Sequence, residues 1–474
     1  MKFSISDKDI FENNFQESES ELYIDPRAYT SDIEFPDPSQ FRIYDTTLRD
    51  GEQTPGVALT APQKYEIAKM ISRLGCHILD MGFPAAHPSE SEALRMVLDG
   101  KHKGEIRQDL EILVMCRANH KDIDHTLEVL RGVGAAPNEI TFLIFTSASN
   151  LHLKYKLGSM FLKEAGLSPD KLNEMPLEWF RERNEIMIRD AISYARSCGI
   201  EEVEFGTEDA SRTPVEQLIS LVRSGVEAGA TRYIFPDTTG SLTPESTAYY
   251  CKRLRAAFPD LPMVSHFHND YSLVTANVIT SCRYGMSSFG VTLNGIGERA
   301  GNAPLHSVVV ALKMLYGIDI PGFQYHLLCE ASELVERLTG IMTQAHEPIV
   351  GRNVFAHETG IHTHGILHHP KTYEPINADL VGGNRHFVYG KHSGSNLIKH
   401  ILEKARTRIE SSGKELTEEL VAHVLREVKS VRIQRAETEK TSDMVKELRV
   451  HLKGIGLTEE DVLAIAESIE VGSL

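Results

Sequence analysis

Six cysteines are scattered along the chain (Cys76, Cys116, Cys198, Cys251, Cys282 and Cys329), and no two form a CxxC pair. That excludes a disulfide framework and a zinc ribbon and fits thiols kept reduced. A concentrated basic patch is also missing. Lys and Arg number 50 against 67 Asp and Glu, a formal net charge of -17. Diffuse negative charge repels phosphate backbones, so no nucleic-acid partner is expected. The opening MKFSISDKDIFENN lacks an apolar signal core, and no apolar run is long enough to span a bilayer. No membrane partner is expected, and the expected location is the cytoplasm. Low-complexity tracts are absent, and Trp179 is the only tryptophan. What remains is ordinary for a globular chain, 41% hydrophobic and 25% charged, and 474 residues exceed one simple core.

Residues 1–40 are polar and acid-rich and read as an N-terminal arm. From Phe41 onward short apolar strands alternate with helical stretches. The strands are expected at Ile43–Asp45, Ile78–Met81, Ile112–Cys116, Ile140–Phe145, Val203–Phe205, Tyr233–Phe235, Met263–His266 and Ser288–Thr292. Amphipathic segments lie between them, among them Ala61–Leu74, Ser89–Leu98, Ile123–Leu130, Glu185–Ser197, Pro214–Ala228 and Ser246–Ala257. Eight such units over roughly 270 residues predict an α/β fold, a (β/α)8 TIM barrel over residues 41–316. A doubly wound sheet has fewer strands and a Gly-rich first turn, which Thr46–Gly51 is not. An extra polar segment between Leu157 and Arg183, carrying Trp179, follows the fourth strand and is expected over the barrel mouth, as a lid or as a plain surface insertion. The alternation stops near Gly317, so residues 317–474 read as a smaller, mostly helical C-terminal appendage.

The chemistry is expected where strands end, because barrel sites sit at the C-terminal mouth. Arg42–Gly56, RIYDTTLRDGEQTPG, runs from a short strand into a loop with Arg49 and Asp50. His266 and His268 close the seventh strand two residues apart, so both imidazoles project from one face. Two histidines plus a distant carboxylate hold a divalent metal such as Zn, Mn, Fe or Co. Asp50 is at the same mouth, with one strand between the first and seventh, and Asn302 offers an amide oxygen. Glu208, ending strand five, is placed to position a base or a water. Nearby Asp209 and Ser211 read equally as helix caps. Thr238, after strand six, is a hydrogen-bond donor for a substrate carboxylate or part of a plain helix-entry turn. The loop Asn294–Asn302 is glycine-rich, and its backbone N–H groups are candidates for anion binding. Histidines are dense in HETGIHTHG (His357–Gly365) and at His368 and His369, either a site or surface and structural side chains.

DTTLRDGEQ (Asp45–Gln53), GFPA (Gly82–Ala85), EDASR (Glu208–Arg212), HFHND (His266–Asp270), NGIGERAGNAPL (Asn294–Leu305), GIH (Gly360–His362) and GKHSG (Gly390–Gly394) resemble the 2-isopropylmalate synthase and homocitrate synthase family. These are acetyl-CoA-dependent Claisen condensing enzymes of the DRE-TIM metallolyase superfamily. The resemblance runs in the family's order from Phe41 to the mid-400s. It implies a divalent metal (Mn, Mg, Zn or Co) on Asp50, His266, His268 and Asn302, gripping a 2-oxo acid. It implies Arg49 as the charge stabiliser, Glu208 and His362 in the acid/base step, and Tyr373 at the same site. Gln53, Thr238 and Arg117 are assigned to substrate, and Asn294, Gly295, Gly297 and Arg299 to acetyl-CoA. A homodimer in which His362 comes from the partner subunit is also implied, as is a product of the 2-substituted malate type.

The chain departs from the family pattern at several points. Asp80 stands where glutamate usually precedes GFP, and GIHTHG puts His364 where an aspartate is usual. Fungal-type homocitrate synthases carry an arginine at the position of Glu204 for the distal carboxylate of 2-oxoglutarate. A glutamate there is expected to repel that acid. The chain ends at Leu474, so leucine feedback through a further domain is not expected. A homocitrate synthase-like activity or a specialised 2-phosphonomethylmalate-type synthase are the alternatives. A superfamily lyase is disfavoured, because Ser287–Leu328 lacks the cysteine those enzymes use. A non-catalytic binding protein is disfavoured by the intact Arg49, Asp50, His266, His268 and His362.

Overall fold

The computed structural model describes residues 22–25, 27, 33–438, 444–446 and 461. Most of the acidic arm read over residues 1–40 lies outside the described residues. The chain divides into two compact units, residues 26–324 with 331–341, and residues 1–25, 325–330 and 342–474.

The first unit is the predicted barrel. Eight parallel strands close in sequence order: β1 (Arg42–Asp45), β2 (Ile78–Asp80), β3 (Glu111–Arg117), β4 (Ile140–Ser147), β5 (Val203–Glu208), β6 (Arg232–Asp237), β7 (Met263–Phe267) and β8 (Ser288–Val291). Closure comes from β1 pairing β8, with Arg42 opposite Ser288 and Asp45 opposite Val291. Every strand expected from sequence is present. Several extend further at their C-terminal ends, to Ser147, Glu208 and Asp237, where polar side chains interrupt the apolar run that sequence reading relies on.

The helices of this unit are α1 (Ala61–Leu74), α2 (Pro88–His102), α3 (His120–Gly132), α4 (Asn150–Tyr155), α5 (Gly158–Glu164), α6 (Leu177–Ser197), α7 (Val215–Glu227), α8 (Pro244–Ala257), α9 (Val274–Arg283) and α10 (Leu305–Tyr316). The bounds of α1 follow from its ends. Thr60 caps the N-terminus reciprocally with Gln63, and Gly75 ends it with φ 90°. A side chain on Gly75 would also meet the Gly322 carbonyl at 2.5 Å. No residue of 157–183, the segment carrying Trp179, is among those lining the cavity at the mouth. The segment's apolar side chains fold onto one another instead, with Phe161, Phe180 and Leu153 buried and Trp179, Leu172 and Met175 packed against them.

Within the barrel, residues two apart on a strand share a face, and the interior is layered accordingly. A middle layer of Tyr44, Ile78, Leu113, Leu143, Ile234 and Val264 is buried. Below it Glu111, Glu204 and Arg232 form an ion-paired layer: Arg232 Nη2 lies 2.7 Å from Glu111 Oε1, its Nε contacts Glu204, and the Tyr44 hydroxyl donates to Glu204 at 3.1 Å. Glu204 is therefore at the bottom of the β5 column, about 13 Å in strand rise from Glu208. The expected repulsion of 2-oxoglutarate by Glu204 does not hold, since the residue is buried, neutralised by Arg232 and absent from the cavity wall.

The described part of the second unit contains a two-stranded parallel sheet, β9 (Ala356–His357) with β10 (His386–Phe387). Helix α11 (Leu328–Thr339) runs from one unit's residues into the other's. It is followed by α12 (Gly360–His368), α13 (Ser395–Lys404), α14 (Arg406–Ser411) and α15 (Glu418–Thr438). Ile366, Phe387 and Leu397 form the small core. Beside it Glu374 is held by His357 at 2.9 Å and by Arg385 Nε at 2.7 Å, all buried. His357 is thus structural, the second of its two readings.

Asp45, at the end of β1, accepts the Thr47 N–H at 2.9 Å, while its other oxygen is buried without a hydrogen bond. Burial pushes this carboxyl up to about 7, against the Thr47 hydrogen bonds. A folded value above the unfolded one, about 3.9, means that the stability from this group is complete below pH 4 and lost as pH rises through 7. Asp45→Asn is expected to remove that loss. In denaturant titrations its stability relative to wild type should rise by about 4 kcal/mol from pH 4 to pH 8. An unchanged difference between the two pH values would show that the group ionises normally.

Candidate active site and metal centre

The loop after β1 is fixed from several sides. The Thr46 carbonyl accepts the N–H groups of Arg49, Asp50 and Gly51 at 3.2, 2.9 and 3.1 Å. The Thr47 hydroxyl accepts the Leu293 N–H at 2.8 Å, tying this loop to the one after β8. From beneath, the buried Lys64 ammonium meets Glu52 at 2.5 Å, Glu90 at 2.6 Å and the Leu48 carbonyl at 3.2 Å. A lysine this enclosed is tolerated because its charge is paired. Arg49 is then held by Asp80, Nε to Oδ2 at 2.7 Å, with Asp50 3.5 Å from Nη1. The shorter Asp80 is therefore the arginine's own partner. Burial lowers the affinity of Arg49 for its proton, but Asp80 and Asp50 outweigh it and the guanidinium stays charged.

Asp50 Oδ2 lies 2.8 Å from His266 Nε2 and 3.4 Å from His268 Nε2. Ligand atoms of these three buried residues fall within 4.8 Å of one another, and they are the one such group of three or more among the described residues. Burial opposes ionisation of Asp50, yet Arg49 and the two histidines hold its carboxyl well below the usual range. Burial also pushes His266 down to about 4, so its imidazole is neutral, as a ligand must be. His268 Nδ1 is 3.1 Å from the Asp237 carbonyl, which fixes the tautomer that leaves Nε2 as the acceptor. Asn302 forms a bridge with His268. Its Nδ2 donates to the Ile296 carbonyl at 3.2 Å, and its Oδ1 is buried with no hydrogen-bond partner. Two imidazoles on one side, an ionised carboxylate and an orphaned amide oxygen suit a divalent cation, so the residues present fit a metal.

Above this group opens a cavity of about 330 Å³, whose lining includes Arg49, Asp50, Gln53, Glu208, Thr238, His266, His268 and Arg299. Its deeper wall is apolar: Met115, Leu143, Phe145, Ile234 and Pro236, with Gly206 leaving space between them. At the rim Lys156 contacts Glu208, and His152 lies 3.7 Å from both Glu208 and Asp209. Arg299 is bidentate to Asp270 at 2.9 and 3.0 Å and donates to the Thr238 carbonyl at 2.6 Å. The Thr238 hydroxyl accepts the Asp209 N–H at 2.8 Å. Asp209 makes no cap and binds Arg212 instead; Ser211 donates to Asp237 at 2.7 Å.

The structure thus brings together Arg49, Asp50, Gln53, Glu208, Thr238, His266, His268, Asn302 and Arg299. Arg117 is not brought in: its guanidinium is bidentate to Asp122 at 2.8 and 3.0 Å, over the Phe83 ring, and outside the cavity lining. Asn294, Gly295 and Gly297 do not line the cavity either. Asn294 donates to the Ser332 carbonyl at 3.0 Å, and the two glycines let the loop fold tightly round Asn302. His362 and Tyr373 belong to the second unit, where their rings stack at 4.0 Å. Sequence reading missed Lys156, His152, Glu298 and the apolar wall. The available signal was position alone: each stands on a strand of the barrel or in the segment that follows one, His152 and Lys156 on and at the end of the short helix after β4.

Gly297 has φ 156°, and a Cβ there would meet Asn302 Nδ2 at 2.1 Å. Gly297→Ala is expected to displace the Asn302 amide without touching the aspartate or the histidines. Calorimetric titration should show divalent-cation affinity weakened by about tenfold or more with an unchanged far-UV spectrum. Undiminished affinity would remove Asn302 from the ligand set.

The HMGL-like family model matches residues 40–166 and 171–335, and the homocitrate synthase post-HMGL domain-like model matches residues 349–436. A protein of Methanopyrus kandleri named probable 2-isopropylmalate synthase is 39% identical over 83% of this chain and 70% of its own length. Homocitrate synthase AksA of Methanocaldococcus jannaschii is 37% identical over 82% of this chain and 86% of its own. Among solved structures, the HMG-CoA lyase of Bacillus subtilis superposes with a TM-score of 0.51 at 18% identity, covering 66% of this chain and 97% of that one. That likeness is one of fold. From the family models and from relatives of this identity and coverage, the chain belongs to the 2-isopropylmalate synthase and homocitrate synthase family of the DRE-TIM metallolyase superfamily.

Proposed function

We propose that this protein is an alkylmalate synthase of the 2-isopropylmalate type, condensing acetyl-CoA with a 2-oxo acid that has a short apolar side chain. The observation that carries the choice of acid is the wall of Met115, Leu143, Phe145 and Ile234 beside the Arg49–Asp50–His266–His268 group. A divalent cation held by Asp50, His266, His268 and Asn302 would polarise the keto carbonyl. Thr238 holds the substrate carboxylate, and Gln53 orients the acid at the mouth. Glu208 and His362, with Tyr373, share the proton work: the acetyl methyl gives up a proton, and the resulting carbanion bonds to the keto carbon. Arg49, kept charged by Asp80, offsets the negative charge that develops on the oxygens. Water then cleaves the thioester, releasing CoA as free thiol and leaving the malate derivative. Arg299, at the rim of the cavity, faces the acetyl-CoA. In keeping with the family resemblance, the working form is a cytoplasmic homodimer in which His362 and Tyr373 complete the partner's site.

Free thiol followed with acetyl-CoA, a divalent metal and a panel of acids tests this reading. Release is expected with 2-oxoisovalerate and not with 2-oxoglutarate or phosphonopyruvate. Preference for either of those would move the protein to the homocitrate or phosphonomethylmalate reading, and no release with any acid by metal-loaded protein would end the synthase reading. Arg49→Ala is expected to lower kcat by about 10²–10³ with the cation still bound; an unchanged kcat would refute its role.

A further inference from the structure

The histidine-rich helix α12 contains a pair the proposed reaction does not use. His364 and His368 are four residues apart, so they stand on one face one turn apart. Their ring centroids are 4.3 Å apart, and both side chains are exposed. Each ring is oriented through Nδ1. His368 Nδ1 lies 2.7 Å from the His364 carbonyl, an acceptor, so Nδ1 carries the proton and Nε2 keeps its lone pair. His364 Nδ1 lies 2.7 Å from the side-chain amide nitrogen Nδ2 of Asn396 on α13. Turned so that its oxygen faces the ring, that amide accepts the Nδ1 proton and leaves the second Nε2 open.

We propose that His364 and His368 form a second cation site, a two-histidine chelate on α12 oriented by Asn396 and the His364 carbonyl. Imidazole pairs at this spacing hold zinc on helices. Nitrogen donors without a carboxylate select Zn²⁺, Ni²⁺ or Cu²⁺ and pass over Mg²⁺ and Ca²⁺. The remaining positions are filled by water. The site is independent of the catalytic reading, since neither ring is assigned to the barrel's chemistry. Its place is notable on chemical grounds: His362 precedes His364 by two residues on the same helix, so a bound cation would clamp the turn that carries it.

Equilibrium dialysis of the full-length protein against Ni²⁺ tests the proposal, with Mg²⁺ in excess to suppress weak oxygen sites. Wild type is expected to take up one more cation per chain than His364→Ala or His368→Ala, and Asn396→Ala should weaken that site by about tenfold. Both rings are exposed, so the variants keep the fold; His368→Gln provides a second substitution, and thermal melting checks each. Equal uptake by wild type and both alanine variants would overturn the site.

Discussion

The pairing of β1 with β8 is the constraint from which the mouth of the barrel follows. Asp50 stands just past the first strand, His266 is in the seventh and His268 just past it; closure sets Asp50 2.8 Å from His266 and 3.4 Å from His268. The same closure lets Thr47 receive the Leu293 N–H, so the loops after the first and last strands are fixed together. Asn302 comes to the group by a separate route, its bridge to His268, which depends on glycines that let its loop double back.

Buried charge is arranged in pairs at both ends of the barrel interior, and the pairs differ in purpose. At the bottom Arg232 neutralises Glu204 and Glu111, filling space with no access to the cavity. At the mouth Lys64 with Glu52 and Glu90, and Arg49 with Asp80, hold a loop in place while leaving Asp50 to face the histidines. Removing one member of such a buried pair costs about 3–5 kcal/mol, against about 0–1 kcal/mol for pairs in open solvent. The exposed pairs on the outer helices, such as Lys103 with Asp99, contribute little beside these.

The barrel was legible because its strands are short apolar runs separated by amphipathic helices. The site residues that could be read were those with unusual chemistry at a strand end: Arg49, Asp50, His266, His268 and Glu208. Arg117 also stands at a strand end, but Asp122, five residues on, captures its guanidinium. Glu204 was misplaced for a related reason. Strand parity puts Glu204, Gly206 and Glu208 in one column, but only depth separates a residue beneath the core from one at the rim. The apolar wall was invisible because Met115, Leu143 and Phe145 look like any barrel core until the cavity above them is seen.

That wall makes the expected selectivity uneven. Each methylene of a substrate side chain buried there gains about 0.8 kcal/mol, so acids differing by one carbon are separated by only about 1–3 kcal/mol. A distal carboxylate in the same place loses its water and must find a cation. Lys156 and Arg299 are the cations of the rim, and each is already bound to a carboxylate, Glu208 and Asp270. Recruiting one of them would leave its partner unpaired, which costs more than the methylene terms can restore. On the proposed reading, rejection of a second negative charge is expected to be steep and discrimination among short apolar acids shallow, so a class of substrate is expected to be set more sharply than one member of that class.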